Sequence, residues 1–344
     1  MALTVFARRK VGATSLDLPV FGFGAAHLGE LYTLVDEPTS QATLQGAWDA
    51  GLRYFDTAPW YGRGLSEHRL GGFLRTRKRA DFQITTKVGR TLYRPKDFAS
   101  FSRKPWLGGL NFEVNFDYSY DGVMRSYEQA LQRLALDTVD ALVIHDLDAD
   151  FHGGKLAGYE RQLYDSGMKA LAELKAAGDV KAVGMGINTG QALRTTATEV
   201  DLDFALVAMP YTLLDQSDLH TGMATCVKRG VSVIIGAPFA SGILVTGSLA
   251  GAKYAYGNAS PEIQAKVRGI EAVCAAHKVG LPAAALQFVL AHPAVVSVIP
   301  GASRANEVAQ NIASLESTIP PGFWSDLKAQ NLIDTDAPVP GAAA

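Results

Sequence analysis

This chain has little cysteine, no excess of either charge and no long apolar run. Two cysteines in 344 residues, Cys226 and Cys274, cannot build a disulfide framework, and both fall in segments that read as helices. Reduced core thiols are the expected state. The 32 basic and 34 acidic residues leave a formal charge of -2, with no polybasic run or basic stripe. Nucleic acid and anionic membrane surfaces are therefore not expected as partners. No apolar stretch approaches the ~20 residues that would span a bilayer. The opening MALTVFARRKVG lacks an apolar signal core followed by a cleavage site, which makes the cytoplasm the expected compartment. No internal repeat is evident. What is present is material for a core: 48% of residues are hydrophobic and 19% charged, a balance that argues for a globular chain and against disorder.

Strand-like and helix-like segments alternate along the sequence. Strands are expected over 20–24, 54–56, 83–88, 141–145, 181–185, 204–209, 231–236 and 296–299. Between them, helices are expected over 40–50, 66–74, 120–134, 164–177, 191–199, 221–229, 261–277, 282–291 and 306–315. Gly51 and Gly178 stand where two of them stop, Ser66 is read as a cap, and Pro261 and Pro282 fall in first turns that tolerate proline. The apolar runs LVIH, VSVII and VVSVIP suit parallel strands buried on both faces.

Eight such units predict a (β/α)8 barrel, a TIM barrel of the α/β class, over the whole chain as one domain. An open doubly wound sheet is the rival. It advertises a G-x-G-x-x-G turn after the first strand, and FGFGAAHLG does not give that spacing. Residues 1–19 are expected to form an N-terminal hairpin over the amino end of the barrel, and 335–344 a disordered tail. The stretch 90–119 is too long and irregular for a plain connector, so it is expected to shape a substrate site.

Three of the strands deliver unusual chemistry to one end. Asp56, Tyr61, Lys87 and His145 lie at or just past the ends of LRYFDTAPWYG, FQITTKVG and VDALVIHD. In a parallel barrel those carboxyl ends share one face, which carries the active site. Singly, each has an ordinary explanation in packing, solvation or core hydrogen bonding. Jointly they bring a carboxylate, a phenol, an ammonium and an imidazole together. A free tyrosine has a pKa of ~10, and a nearby ammonium lowers it. Asp56 is expected to pair with Lys87, and His145 to orient a substrate oxygen. Paired histidine and carboxylate ligands are missing from the strand ends, so no metal is expected and a metal hydrolase is disfavoured.

The ordered set Asp56-Thr57-Ala58-Pro59-Trp60-Tyr61-Gly62, Thr86-Lys87-Val88-Gly89 and Ile144-His145-Asp146, followed by Pro300-Gly301-Ala302-Ser303-Arg304 and Asn311, resembles the aldo-keto reductase family. The resemblance runs over nearly the whole chain. It implies a barrel that binds a nicotinamide dinucleotide, with Tyr61 exchanging a proton while hydride moves to or from the cofactor. Asn188 takes the place of the family's carboxamide-holding Ser-Asn, shifted by one residue. Gly236 stands where a stacking tyrosine is common; either Phe239 supplies that face or Gly236 permits close approach of the cofactor. Gly301 and Glu307 occupy positions that carry Lys and Arg in family enzymes using NADP. NAD is therefore the expected cofactor, with NADP possible because Ser303 and Arg304 remain to meet a phosphate.

Within the family, the stretches 116–134, 143–148 and 236–244 resemble bacterial sugar dehydrogenases and a pyridoxal dehydrogenase close to them, which oxidise a cyclic hemiacetal to a lactone. His27, Trp60, Trp106 and Asp117 are candidate substrate contacts for such a sugar or aldehyde. The alternatives are an NADPH-dependent aldehyde or ketone reductase and a non-catalytic dinucleotide-binding regulatory subunit.

Overall fold

In the computed structural model, which describes residues 4–255 and 257–341, eight short parallel strands wind into one sheet. In chain order they are Phe23–Gly24, Tyr54–Asp56, Gln83–Val88, Ala141–Ile144, Ala182–Ile187, Phe204–Val207, Ser232–Ile235 and Val295–Val298. Each pairs with its sequence neighbour. The first and last meet as well: Phe21 bridges Val298, Gly24 bridges Gly301, and Val298 N donates to Val20 O at 2.9 Å. The sheet is thus a closed (β/α)8 barrel, as the sequence predicts. Closure removes the unpaired strand edges that would otherwise invite aggregation. It also explains why runs such as Ala141–Ile144 are apolar and buried throughout, since one face packs inward and the other against helices.

The N-terminal hairpin pairs Arg8–Lys10 with Asp17–Pro19. Its Val11, Leu16 and Leu18 join Tyr54, Val143, Phe204 and Ile234 in a buried cluster inside the barrel. Gly12 N donates to Ser232 Oγ at 2.8 Å, at the start of the seventh strand. The hairpin therefore stoppers the amino end. Cys226 and Cys274 are free and buried, and burial pushes their thiols up to about 12 and about 11.

Several local expectations need correction. The first helix starts at Glu37, because Asp36 accepts Thr39 N and Pro38 occupies the first turn. Ser66 caps nothing: it lies inside Leu65–Leu74, and its hydroxyl donates to Ala25 O at 2.7 Å. The helix expected from 164 starts earlier, over Leu156–Gln162, and passes through a wider turn at Leu163–Gly167 before Met168–Ala177. A further helix, Pro321–Ala329, has no counterpart among the expected ones. The tail is ordered at least to residue 341: Ala337 is buried, and Lys328 Nζ donates to Thr335 O. Residues 342–344 lie outside the described residues. Within 90–119, Arg90–Tyr93 and Glu113–Phe116 form an antiparallel hairpin. The loop between them folds back over the barrel mouth, where Leu107 N donates to Glu30 O and Leu110 N to Gly62 O, both at 2.9 Å.

Candidate active site

The second and third barrel strands run side by side, which sets Asp56 against Thr85 and brings Lys87 level with the bend that follows. Lys87 Nζ donates to Asp56 Oδ2 at 2.6 Å and to Thr57 O at 2.9 Å, and both side chains are almost fully buried. Thr85 Oγ1 donates to the other carboxylate oxygen at 2.7 Å. Asp56 thus holds the ammonium in place, as expected. A buried ion pair is tolerated when its remaining hydrogen-bonding capacity is met in this way.

Tyr61 sits above this pair, with Lys87 Nζ 4.6 Å from the centre of its ring. Its backbone is wedged by glycines. A methyl on Gly29 would lie 2.4 Å from Gly62 N, and one on Gly109 would lie 2.7 Å from Gly62 O. Only residues without Cβ let three loops cross there. Among the described residues Tyr61 Oη takes no hydrogen bond. The direction of its acidity reverses the sequence expectation. Burial first, then the carboxylates of Asp56 and Asp146, hold the phenol well above its ordinary range, with Arg90 pulling the other way. Lys87 gives its hydrogen bonds to Asp56 and Thr57 rather than to the phenol, so its ammonium does not offset that burial.

His145 ends the fourth strand with its ring edge-on to Tyr61, the centroids 6.0 Å apart. Burial, then the charges of Arg90 and Lys87, hold the imidazole well below its ordinary range. It is therefore neutral near pH 7 and carries a single N–H. Its backbone is pinned by Tyr118, whose hydroxyl donates to His145 O at 2.7 Å and lies 2.9 Å from His152 Nε2.

The candidate substrate residues divide. Trp106 is buried with its ring 5.9 Å from Tyr61 and 5.9 Å from Trp60, so both tryptophans wall the site. Asp117 has its carboxylate engaged locally: it accepts Ser119 Oγ at 2.6 Å and Ser119 N at 3.1 Å, ordering the turn that opens the helix Tyr120–Leu134. His27 lies with the late loop rather than the aromatic wall. A methyl on Gly301 would meet its Nδ1 at 2.2 Å. Burial pulls the His27 imidazole down, partly opposed by Glu307.

Two charged residues at the mouth, Arg90 and Asp146, carry no assignment from the sequence. Arg90 Nη2 donates to Asp146 Oδ2 at 2.7 Å, and Asp146 Oδ1 accepts Asn188 Nδ2 at 2.7 Å. Their signal is position: each stands one to three residues past a strand-end tetrad member.

Residues 20–331 match the profile described as Aldo/keto reductase family. The chain belongs to the aldo-keto reductase family. It is 38% identical to the pyridoxal 4-dehydrogenase of Microbacterium luteolum, covering 97% of this chain and 100% of that protein. It is 37% identical to the D-threo-aldose 1-dehydrogenase of a Pseudomonas species, over 94% of this chain and 97% of that one. The fold superposes on an aldo-keto reductase from Bacillus halodurans with a TM-score of 0.73 and 23% identity, covering 96% and 97% of the two chains. The chain is thus an oxidoreductase of a family that uses nicotinamide cofactors.

The mouth fits such a cofactor. Asn188 commits its amide nitrogen to Asp146, leaving Oδ1 as the acceptor it offers. Gly236 keeps the seventh strand end low, where a methyl would come within 2.8 Å of Leu206 Cδ2, and Phe239 packs half-buried beside it. Arg304 is exposed at the N-terminus of the helix Ala305–Glu316 and gives it no side-chain cap, a setting that suits a phosphate. Glu307 Oε2 accepts Ser303 N at 2.7 Å and Ser303 Oγ at 3.1 Å, and Asn311 lies one turn further on.

Proposed function

We propose that this protein is an NAD-dependent dehydrogenase that oxidises a cyclic hemiacetal, an aldose or the hemiacetal form of pyridoxal, to a lactone. The observation that carries this reading is full-length similarity of 37–38% to two dehydrogenases of such compounds, combined with the tetrad at one barrel mouth. A nicotinamide held at this mouth would supply the acceptor for the hydride that leaves the substrate carbon. Tyr61, in its phenolate form, receives the proton from the substrate hydroxyl, so that C–H and O–H bonds give way to one C=O. His145, neutral, donates its N–H to that oxygen and orients it. Lys87 and Asp56 fix the floor under the phenol. General acid–base help of this kind is worth ~10²–10⁴ in rate. Trp60 and Trp106 give the site an aromatic wall suited to a sugar or pyridine ring.

The preference for NAD rests on Glu307. Its carboxylate, which anchors the late loop through Ser303, would repel the added phosphate of NADP held there. The reverse reaction, reduction of an aldehyde or ketone, has one observation in its favour: Tyr61 is held protonated and ready to donate.

A panel of aldoses, pyridoxal and simple aldehydes, each with NAD and NADP in both directions, tests the reading through absorbance of the reduced nicotinamide. Faster NAD-linked oxidation of an aldose or pyridoxal is expected. Turnover confined to NADPH-linked reduction of open-chain carbonyls would replace it with the reductase reading. Tight cofactor binding without turnover would favour a regulatory subunit.

A further inference from the structure

Asp146 directly follows His145 and holds a left-handed backbone, φ 44°. Few side chains adopt that conformation, aspartate among them. The bend returns the carboxylate to the imidazole, with Oδ2 3.3 Å from His145 Nε2. The same oxygen accepts Arg90 Nη2, and Oδ1 accepts Asn188 Nδ2, each at 2.7 Å. Histidine tautomers are usually fixed by whatever bonds the ring's other nitrogen. Here that nitrogen, Nδ1, is buried and has no partner among the described residues. A carboxylate oxygen at 3.3 Å repels a lone pair on Nε2 and attracts an N–H there.

We propose that Asp146 is a positioning residue that keeps the His145 proton on Nε2 and turns the Asn188 amide so that its Oδ1 faces the cofactor carboxamide. One carboxylate thereby sets both the donor that meets the substrate oxygen and the acceptor that meets the nicotinamide. Arg90 is its counter-ion. The guanidinium is fully buried and boxed by Phe151, Trp60 and Phe116, at 4.3, 5.2 and 5.2 Å from the ring centres. Rings flank it on several sides, and among the described residues Asp146 is its ion-pair partner. The role assigned to Asp146 rests on the reading of His145 as a substrate-orienting donor.

Imidazole nitrogen spectra of 15N-histidine-labelled protein, taken without substrate or cofactor, read the tautomer directly. His145→Gln identifies the resonance. The wild type is expected to show Nε2–H. Asp146→Ala is expected to shift signal toward Nδ1–H, and so is Arg90→Met/Asp146→Ala, which leaves no buried charge unpaired. In the double variant, kcat and cofactor affinity are expected to fall roughly 10–100-fold, the range found for residues that orient a functional histidine. Nδ1–H in the wild type would overturn the proposal. So would an unchanged tautomer and cofactor affinity in the folded double variant. Failure of the functional reading shows separately, as a wild type that turns over nothing in the panel while its tautomer still answers to Asp146.

Discussion

Lys87 lies under Tyr61, its Nζ 4.6 Å from the ring centre, yet its hydrogen bonds go to Asp56 and Thr57. Proximity alone does not make the phenol acidic. Burial of the ring and the nearby carboxylates of Asp56 and Asp146 keep the proton on this phenol to higher pH than on a free tyrosine. The form that accepts a proton from substrate is then scarce at neutrality and grows as pH rises. Oxidation is expected to speed up with pH through the alkaline range, while reduction, which needs the protonated form, holds steady over the same range. Initial rates in both directions from pH 6 to 10 check this, and an oxidation rate that peaks near neutrality would remove Tyr61 from the role. Tyr61→Phe is expected to lower kcat by ~10²–10⁴ with cofactor binding retained.

The Asp56–Lys87 pair is expected to matter for stability as a unit. Removing one partner strands a buried charge. Asp56→Asn and Lys87→Met should each lose about 3–5 kcal/mol in denaturant unfolding. Asp56→Asn/Lys87→Met should lose clearly less than the sum of the two. Additive losses would mean that the two groups do not act together.

How much of this is legible in the sequence depends on the kind of contact. The strands Tyr54–Asp56 and Gln83–Val88 fall where their apolar runs say, because a parallel barrel buries both faces and leaves a continuous signal. The helix Tyr120–Leu134 is equally clear from its spacing. The first helix begins ahead of the expected residue 40, because Asp36 caps it and Pro38 fits its first turn. Ser66 looks like a cap but donates to Ala25 O just past the neighbouring first strand, a contact made by tertiary packing. Arg90, Asp146 and Asn188 come from three different strand ends, so their meeting depends on lateral register that no single stretch encodes. Asp117 shows that a carboxylate near a strand end reads alike in sequence whether it meets a ligand or bonds its own turn.

Cofactor choice should move with Glu307. Glu307→Gln keeps an oxygen for Ser303 N but removes the charge. The ratio of kcat/KM for NADP over NAD is expected to rise about tenfold, close to 1.4 kcal/mol of relieved repulsion. Arg304→Ala in the same background should reverse most of that gain. An unchanged ratio in Glu307→Gln would place the determinant elsewhere.

Glycines beside Tyr61 should behave unlike glycines elsewhere. Gly62 has φ 62°, and a methyl on it would lie 2.7 Å from Gly29 Cα. Gly62→Ala is expected to lose more than ~1 kcal/mol and to lower kcat. A methyl on Gly72, in the helix Leu65–Leu74, would meet nothing within 4 Å, so Gly72→Ala should gain up to ~1 kcal/mol at unchanged kcat. Thermal melts and initial rates of the pair separate crowding from ordinary helix propensity.

The crossing of Gly29, Gly62 and Gly109 has an evolutionary side. With three bare backbones interlocked at that point, the reactive oxygen is anchored to the barrel and cannot migrate to suit a new compound. Change must come instead through interchangeable parts around it, the rings of Trp60 and Trp106 and the hairpin that carries the second of them. Diversification on this scaffold would redecorate a room whose hearth stays put.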